Sequence, residues 1–175
     1  MSGRFQLLVL LLWNWLGLQI VTEVNHYLSA FGIALHLDLL WLLFVALNLG
    51  RKVGLLYTVL FGLLAEAHLG GPDGIWISLY LVFWALLVTL RRHIQRDSAL
   101  QMQFLSVFLQ GLLFTLLSVF LAGGQADTFA YWQRILIEGA LSLVAIWLLC
   151  VPWAALQYRL LQSLGCDIFA DVRTD

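Results

Sequence analysis

The sequence predicts an all-α integral membrane protein, a six-helix transmembrane bundle with both termini cytoplasmic, and three observations carry that prediction. The first is composition: 62% of the 175 residues are hydrophobic and 11% are charged, with a mean hydropathy of +0.93. An ordinary soluble domain is nearer half apolar and a quarter charged. The second is length: apolar runs of roughly 17 to 25 residues recur along the chain, enough to cross a ~30 Å hydrocarbon core as helix. The third is the placement of basic residues, which alternates from turn to turn.

In chain order, the first segment spans about 5–22, and the whole chain forms a single membrane domain, 1–175. Its start could pass for a secretory signal, but it is long and no small-residue cleavage site follows, so we expect a retained helix. Glu23-Val24-Asn25-His26 then reads as a polar turn. Segment two covers 28–48, and Arg51-Lys52 separates it from segment three, 53–69. Gly70-Gly71-Pro72-Asp73-Gly74 is a turn, since Pro fixes φ, Gly supplies positive φ and Asp closes Asx turns. Segment four is 75–90, segment five 100–122 and segment six 135–156, with a polar cytoplasmic tail over 157–175. Alternate turns collect Arg4, Arg51, Lys52, Arg91, Arg92, Arg96, Arg159 and Arg173, which belong on the cytoplasmic side. Arg134 alone falls with Glu23, Asp73 and Asp127 on the other. Trp76, Tyr131 and Trp132 should anchor the outer boundary, and Trp153 and Tyr158 the inner one.

Charge and cysteine usage exclude further classes. A net charge of −1 gives no field for nucleic acid. Cys150 and Cys166 have neither CxxC spacing nor the density of a disulfide framework, and are expected as free thiols.

Acidic residues inside a span cost about 2.5 to 3.5 kcal/mol each and need a reason. Asp38 lies midway along segment two. Either that segment is one helix with Asp38 at its costliest position, or 28–37 bends or re-enters and Asp38 caps a short helix of about 16 Å from Leu39. Glu66 lies one turn from the outer end of segment three. Gly54, Thr58, Gly62, Glu66 and Gly70 recur every four residues and form one ridge, suited to close helix packing or to a partner-facing groove with Glu66 as its polar pin. Arg134 and Glu138 stand at i, i+4 and should pair on one helix face. Asn14, Gln19, Gln103 and Gln110 read as interhelical hydrogen-bonding glue.

No enzyme chemistry is expected. In a helix, His36 and Asp38, like Glu66 and His68, point to different faces, unlike the i, i+4 histidines of HExxH sites. No GxSxG elbow, Walker loop or GxGxxG turn is present. No catalytic, cofactor-binding or metal residues are therefore expected.

Segments two to four carry a more specific pattern. Asp38 opens the apolar run Leu39 to Leu47, Arg51-Lys52 forms a basic turn, and Gly62, Glu66, Gly70 and Gly74 step by four. This resembles the MreD family of rod shape-determining proteins over about 38–153, and Pro152 in the last helix is similar to the family pattern. Glu66 stands where that family usually has Asp, and Leu37 where Pro is common. The resemblance implies a non-catalytic scaffold of the elongasome in the bacterial inner membrane, helping regulate lateral peptidoglycan synthesis and cell shape. The implied partners are MreC and, directly or through it, RodA, a penicillin-binding transpeptidase and MreB. It also implies a fold similar to the substrate-binding S-components of energy-coupling-factor transporters, with a pocket at the outer side. That fold supplies the alternative, a small-molecule-binding transporter subunit, although segment one lacks the Ala-xxx-Ala ridge on which such subunits dock their coupling partner. The loop holding Arg91, Arg92 and Arg96 either sets topology alone or also lies against anionic membrane lipid.

Overall fold

The computed structural model describes residues 3–69, 74–91, 99–121 and 129–166. Six helices follow in order: α1 (Gly3–Ser29), α2 (Asp38–Asn48), α3 (Arg51–Leu69), α4 (Ile75–Leu90), α5 (Ala99–Leu121) and α6 (Phe129–Ser163). No strand occurs among the described residues. Helices α1, α3, α5 and α6 are long and apolar enough to cross a membrane. The 16 residues of α4 reach about 24 Å and the 11 of α2 about 16 Å, so α2 cannot span a bilayer.

Side-chain bonds at the helix ends fix the directions. Arg91, closing α4, donates Nη1 to the Leu49 carbonyl between α2 and α3 at 2.7 Å. Thr22 and His68, near the ends of α1 and α3, lie within 3.2 Å through Oγ1 and Nε2. Tyr131, early in α6, donates its hydroxyl to the Ser118 carbonyl late in α5 at 2.7 Å. Gly3 and Ser163 therefore lie at one end of the bundle, together with Leu49 and Arg91. The ends of α1, α3 and α5 lie at the other.

Helix α2 is apolar all round, and a helix of that kind belongs inside a bundle. Ten of its eleven residues are buried. It packs on α3, α4, α5 and α6, and the Asn14 amide of α1 reaches its Trp41 carbonyl at 3.3 Å. Small residues let the outer helices close around it. A Cβ on Gly62 would stand 3.1 Å from Ile77 Cα of α4, and one on Gly54 3.0 Å from the Trp84 indole nitrogen. On Gly139 a Cβ would meet the Phe114 ring at 2.9 Å.

Segment two is not one helix. After α1 the chain turns over Ala30–Gly32, with Gly32 at φ +69°, and 33–37 descends without regular structure. Non-helical backbone inside a bilayer needs its amides satisfied by protein, and side chains of three helices serve Ala34, Leu35, His36 and Leu39. Asn25 both donates to the Leu35 carbonyl at 2.8 Å and accepts its N–H at 2.7 Å. Glu138 accepts the Ala34 N–H at 3.1 Å and Ser142 Oγ the His36 N–H at 2.9 Å. Gln110 donates to the His36 carbonyl at 2.9 Å and accepts the Leu39 N–H at 3.0 Å.

Several expectations need correcting. Asp38 is the first helical residue and not the cap: Leu37 holds that position without a side-chain bond, and Gln110 takes the Leu39 amide hydrogen. The expected turn at 23–26 is helical, because no Gly or Pro interrupts α1 before the Ala30 turn. Helix α6 starts at Phe129 and runs on through Pro152 to Ser163, so the start of the expected polar tail is helix. Its Gln157 is fully buried and donates to Asn14 Oδ1. Trp153, expected as an anchor at the inner boundary, packs against interior rings. Its ring stacks on Trp13 at 5.5 Å and meets Trp41 edge-on at 5.3 Å.

Candidate functional site

A cavity of about 450 Å³ opens at the bundle end opposite Gly3 and Ser163. Its walls come from α1 (Leu18, Thr22, Asn25), from the extended segment and the start of α2 (Ala34, His36, Asp38, Trp41), and from Trp76 of α4. Phe114 and Ser118 of α5, with Tyr131, Arg134 and Glu138 of α6, complete them. The irregular segment 33–37 makes the space: it occupies the upper half of the bundle with narrow backbone where a sixth full helix would fill it.

The polar groups divide into two sets. At the rim, Arg134 Nε pairs with Glu138 Oε1 at 2.8 Å, with side chains 61% and 5% exposed. This is the i, i+4 pair expected from the sequence, and Glu138 also holds the Ala34 amide. At the floor, Asp38 is 5% exposed, and its Oδ1 accepts from the Tyr80 hydroxyl at 3.5 Å. Its other oxygen, Oδ2, has no hydrogen-bond partner, and neither does His36 Nδ1. His36 and Asp38 share one cavity because residue 36 is not helical. The expectation that they face apart assumed a helix through both.

Other candidate residues lie elsewhere. Gly54, Thr58 and Gly62 are buried, the two glycines against α4, and Thr58 bonds back to the Gly54 carbonyl at 2.8 Å. Glu66 Oε1 accepts the N–H of Gly74, which has φ +85°, so the carboxylate ties the end of α3 to the start of α4. Glu66 and His68 do not act together, since His68 reaches Thr22 instead. Gly70, Arg92 and Arg96 lie outside the described residues. Arg91 is placed on the Leu49 carbonyl. Gln103 links α5 to the Trp147 carbonyl of α6 at 3.1 Å, so three of the four amides, Asn14, Gln103 and Gln110, join elements. Cys150 and Cys166 are buried free thiols. Among the described residues, no group of three His, Cys, Asp or Glu is placed to hold a metal ion.

Asn25, Ser142, Tyr80 and Trp76 complete the site without having been singled out for it. Trp76 is expected at the outer boundary as an anchor, yet it is 7% exposed and forms cavity wall. The arrangement can bind and orient: it offers a buried carboxylate oxygen, a ring nitrogen and aromatic surface, with a neutralised ion pair at the mouth. Comparison with protein-family models, curated proteins and solved structures gave no match.

Replacing Glu138 separates its two duties. Glu138→Gln keeps an acceptor for the Ala34 amide and should lower unfolding stability by about 0.5 to 1 kcal/mol, because the lost partner Arg134 is largely exposed. Glu138→Leu strands that amide in an apolar setting and should cost about 2 kcal/mol. Equilibrium unfolding in mixed micelles, followed by tryptophan fluorescence, reads both. Equal losses would mean that the Ala34 contact contributes nothing.

Proposed function

We propose that this chain is a non-catalytic scaffold of the bacterial elongasome, a multi-pass protein of the cytoplasmic membrane that binds MreC and helps regulate lateral peptidoglycan synthesis. One observation supports the reading above others. A short apolar helix opened by an acidic residue, the feature on which the resemblance to the MreD family rests, begins at Asp38 and forms the buried centre of the bundle. The Gly62, Glu66 and Gly74 steps add to it: the first closes α3 on α4 and the carboxylate of the second holds the third. Carboxylates and glycines of this chain are engaged in holding helices together, which suits a rigid platform. With both termini on the cytoplasmic side, the basic turn at Arg51, Lys52 and Arg91 faces MreB and the cavity faces outward. RodA and its penicillin-binding transpeptidase are then reached within the membrane or through MreC.

The test is capture of MreC by the tagged full chain after co-expression, followed by size exclusion in mild detergent. Co-elution is expected. Elution of a folded chain without MreC overturns the scaffold reading.

The cavity favours a second reading, a small-molecule-binding subunit of an energy-coupling-factor-type transporter. Its volume lies in the range of small-ligand sites, which are largely apolar with a few convergent polar groups. Capture of a paired ATPase module in place of MreC is the result expected there.

A further inference from the structure

Two residues that line the cavity each carry a buried polar atom without a hydrogen-bond partner, Asp38 Oδ2 and His36 Nδ1. Neighbouring backbone groups of that floor are satisfied. The His36 N–H is held by Ser142, its carbonyl by Gln110, and the Leu39 N–H by Gln110 again. A buried carboxylate oxygen with no donor is costly, and what removes the cost is a donor, most effectively a charged one. Trp41, Trp76, Phe114 and Tyr131 line the same space, and aromatic faces attract organic cations.

From this juxtaposition we infer that the cavity is a binding site for a small organic ammonium ion, with its charged group toward the Asp38 carboxylate and its hydrocarbon body against Trp41, Trp76 and Phe114. The charged and titratable groups that line the site are Asp38, His36, Glu138, Arg134 and Tyr131, with Tyr80 behind Asp38. Arg134 is tied to Glu138, so the rim pair nearly cancels and the floor carboxylate sets the sign of the preferred ligand. An anion would meet Asp38 at close range in a low-dielectric setting, and a neutral alcohol would bring no charge to the carboxylate. The inference deepens the small-molecule reading by naming a ligand class, and a scaffold holding such a ligand is equally compatible with it.

Three probes of similar shape separate the possibilities: 2-phenylethylammonium, 2-phenylethanol and 3-phenylpropanoate, titrated calorimetrically into the full chain in zwitterionic nanodiscs. The ammonium ion is expected to bind saturably and at least about tenfold tighter than the alcohol, with no saturable uptake of the carboxylate. Asp38→Asn should weaken ammonium binding by about tenfold or more. Should that variant fail to fold, Ala34→Phe places a ring in the cavity from the extended segment and should abolish saturable binding. Saturable ammonium binding that survives Ala34→Phe overturns the inference, and so does its absence up to about 10 mM, which would leave the space to water. Saturable binding of the alcohol or carboxylate at equal affinity also overturns it, while leaving the small-molecule reading standing. MreC capture is scored separately and is indifferent to all of these outcomes.

Discussion

Asn14→Leu should destabilise the bundle by about 3 kcal/mol, even though leucine is the better residue for insertion into lipid. The Asn14 side chain is fully buried in α1 and joins four groups. Its Nδ2 reaches the Trp41 carbonyl at 3.3 Å and the Tyr57 hydroxyl oxygen at 2.6 Å. Its Oδ1 accepts from Trp153 Nε1 at 3.1 Å and from Gln157 Nε2. The losses differ in kind. The Trp41 carbonyl keeps a partner after substitution, because the Tyr57 hydroxyl also donates to it at 3.2 Å. Trp153 and Gln157 lose their acceptor while remaining inside the bundle. Interhelical hydrogen bonds in membranes average only about 0.6 kcal/mol, but a buried donor left unpaired costs about 1 to 3 kcal/mol, so the orphaned donors set the size of the effect. Adding Gln157→Leu to Asn14→Leu should therefore recover about 1 kcal/mol, since it removes one orphan. Unfolding in mixed micelles measures the single and the double variant. A cost below about 0.5 kcal/mol for Asn14→Leu would show that the network is incidental to packing.

What the sequence made legible, and what it hid, follows from the range of each interaction. Apolar run length is local, and it located α1 to α5 to within two residues of one end or both, whereas α6 overruns the expected 135–156 by six residues at its start and seven at its end. The Arg134 and Glu138 pair is local too, four positions apart on one helix, and so is the Gly54, Thr58, Gly62 ridge. Asp38 was conspicuous because a carboxylate within an apolar run needs a reason, although its cap is supplied by Gln110 from 71 positions away in the Leu39 bond. The resemblance implies a pocket at the outer side, and a bend in 28–37 is one of the two readings of segment two, but the residues that line the cavity were not legible. Its shape depends on 33–37 leaving the helical path, and the groups that permit this act across long separations, 106 positions for Ser142 and His36. No spacing rule reaches that far. The same limit explains Trp76 and Trp153: an aromatic ring near a span end has the same local signature whether it meets headgroups or a cavity wall. Gln157, read as the start of a polar tail, is an interior amide for the same reason, its acceptor lying 143 positions earlier.

Gly17→Leu should separate α1 from its neighbours and lower stability by about 3 kcal/mol or more. A Cβ at Gly17 would lie 2.5 Å from a ring carbon of Trp41 and 2.8 Å from two of Trp153. Neither ring has room to yield. Trp41 is 2% exposed and abuts Phe61 with centroids 6.5 Å apart, while Trp153 is held between Trp13 and Trp41 and by its bond to Asn14. Alanine at Gly17 already overpacks this contact, at about 1 to 3 kcal/mol. Leucine adds branches that only a shift of the helix can accommodate. Because Leu18, Val21, Thr22 and Asn25 continue α1 into the cavity wall, that shift would also move Asn25 from the Leu35 backbone it holds. Insertion gives no rival explanation, since both substitutions make α1 more apolar. The decisive measurement is a double-mutant cycle of Gly17→Ala with Trp153→Leu. Removing the indole opens space for the new methyl, so the pair should cost less than the sum of the singles by at least about 1 kcal/mol. Simple additivity would show that the Gly17 contact with Trp153 does not limit how closely α1 approaches α6.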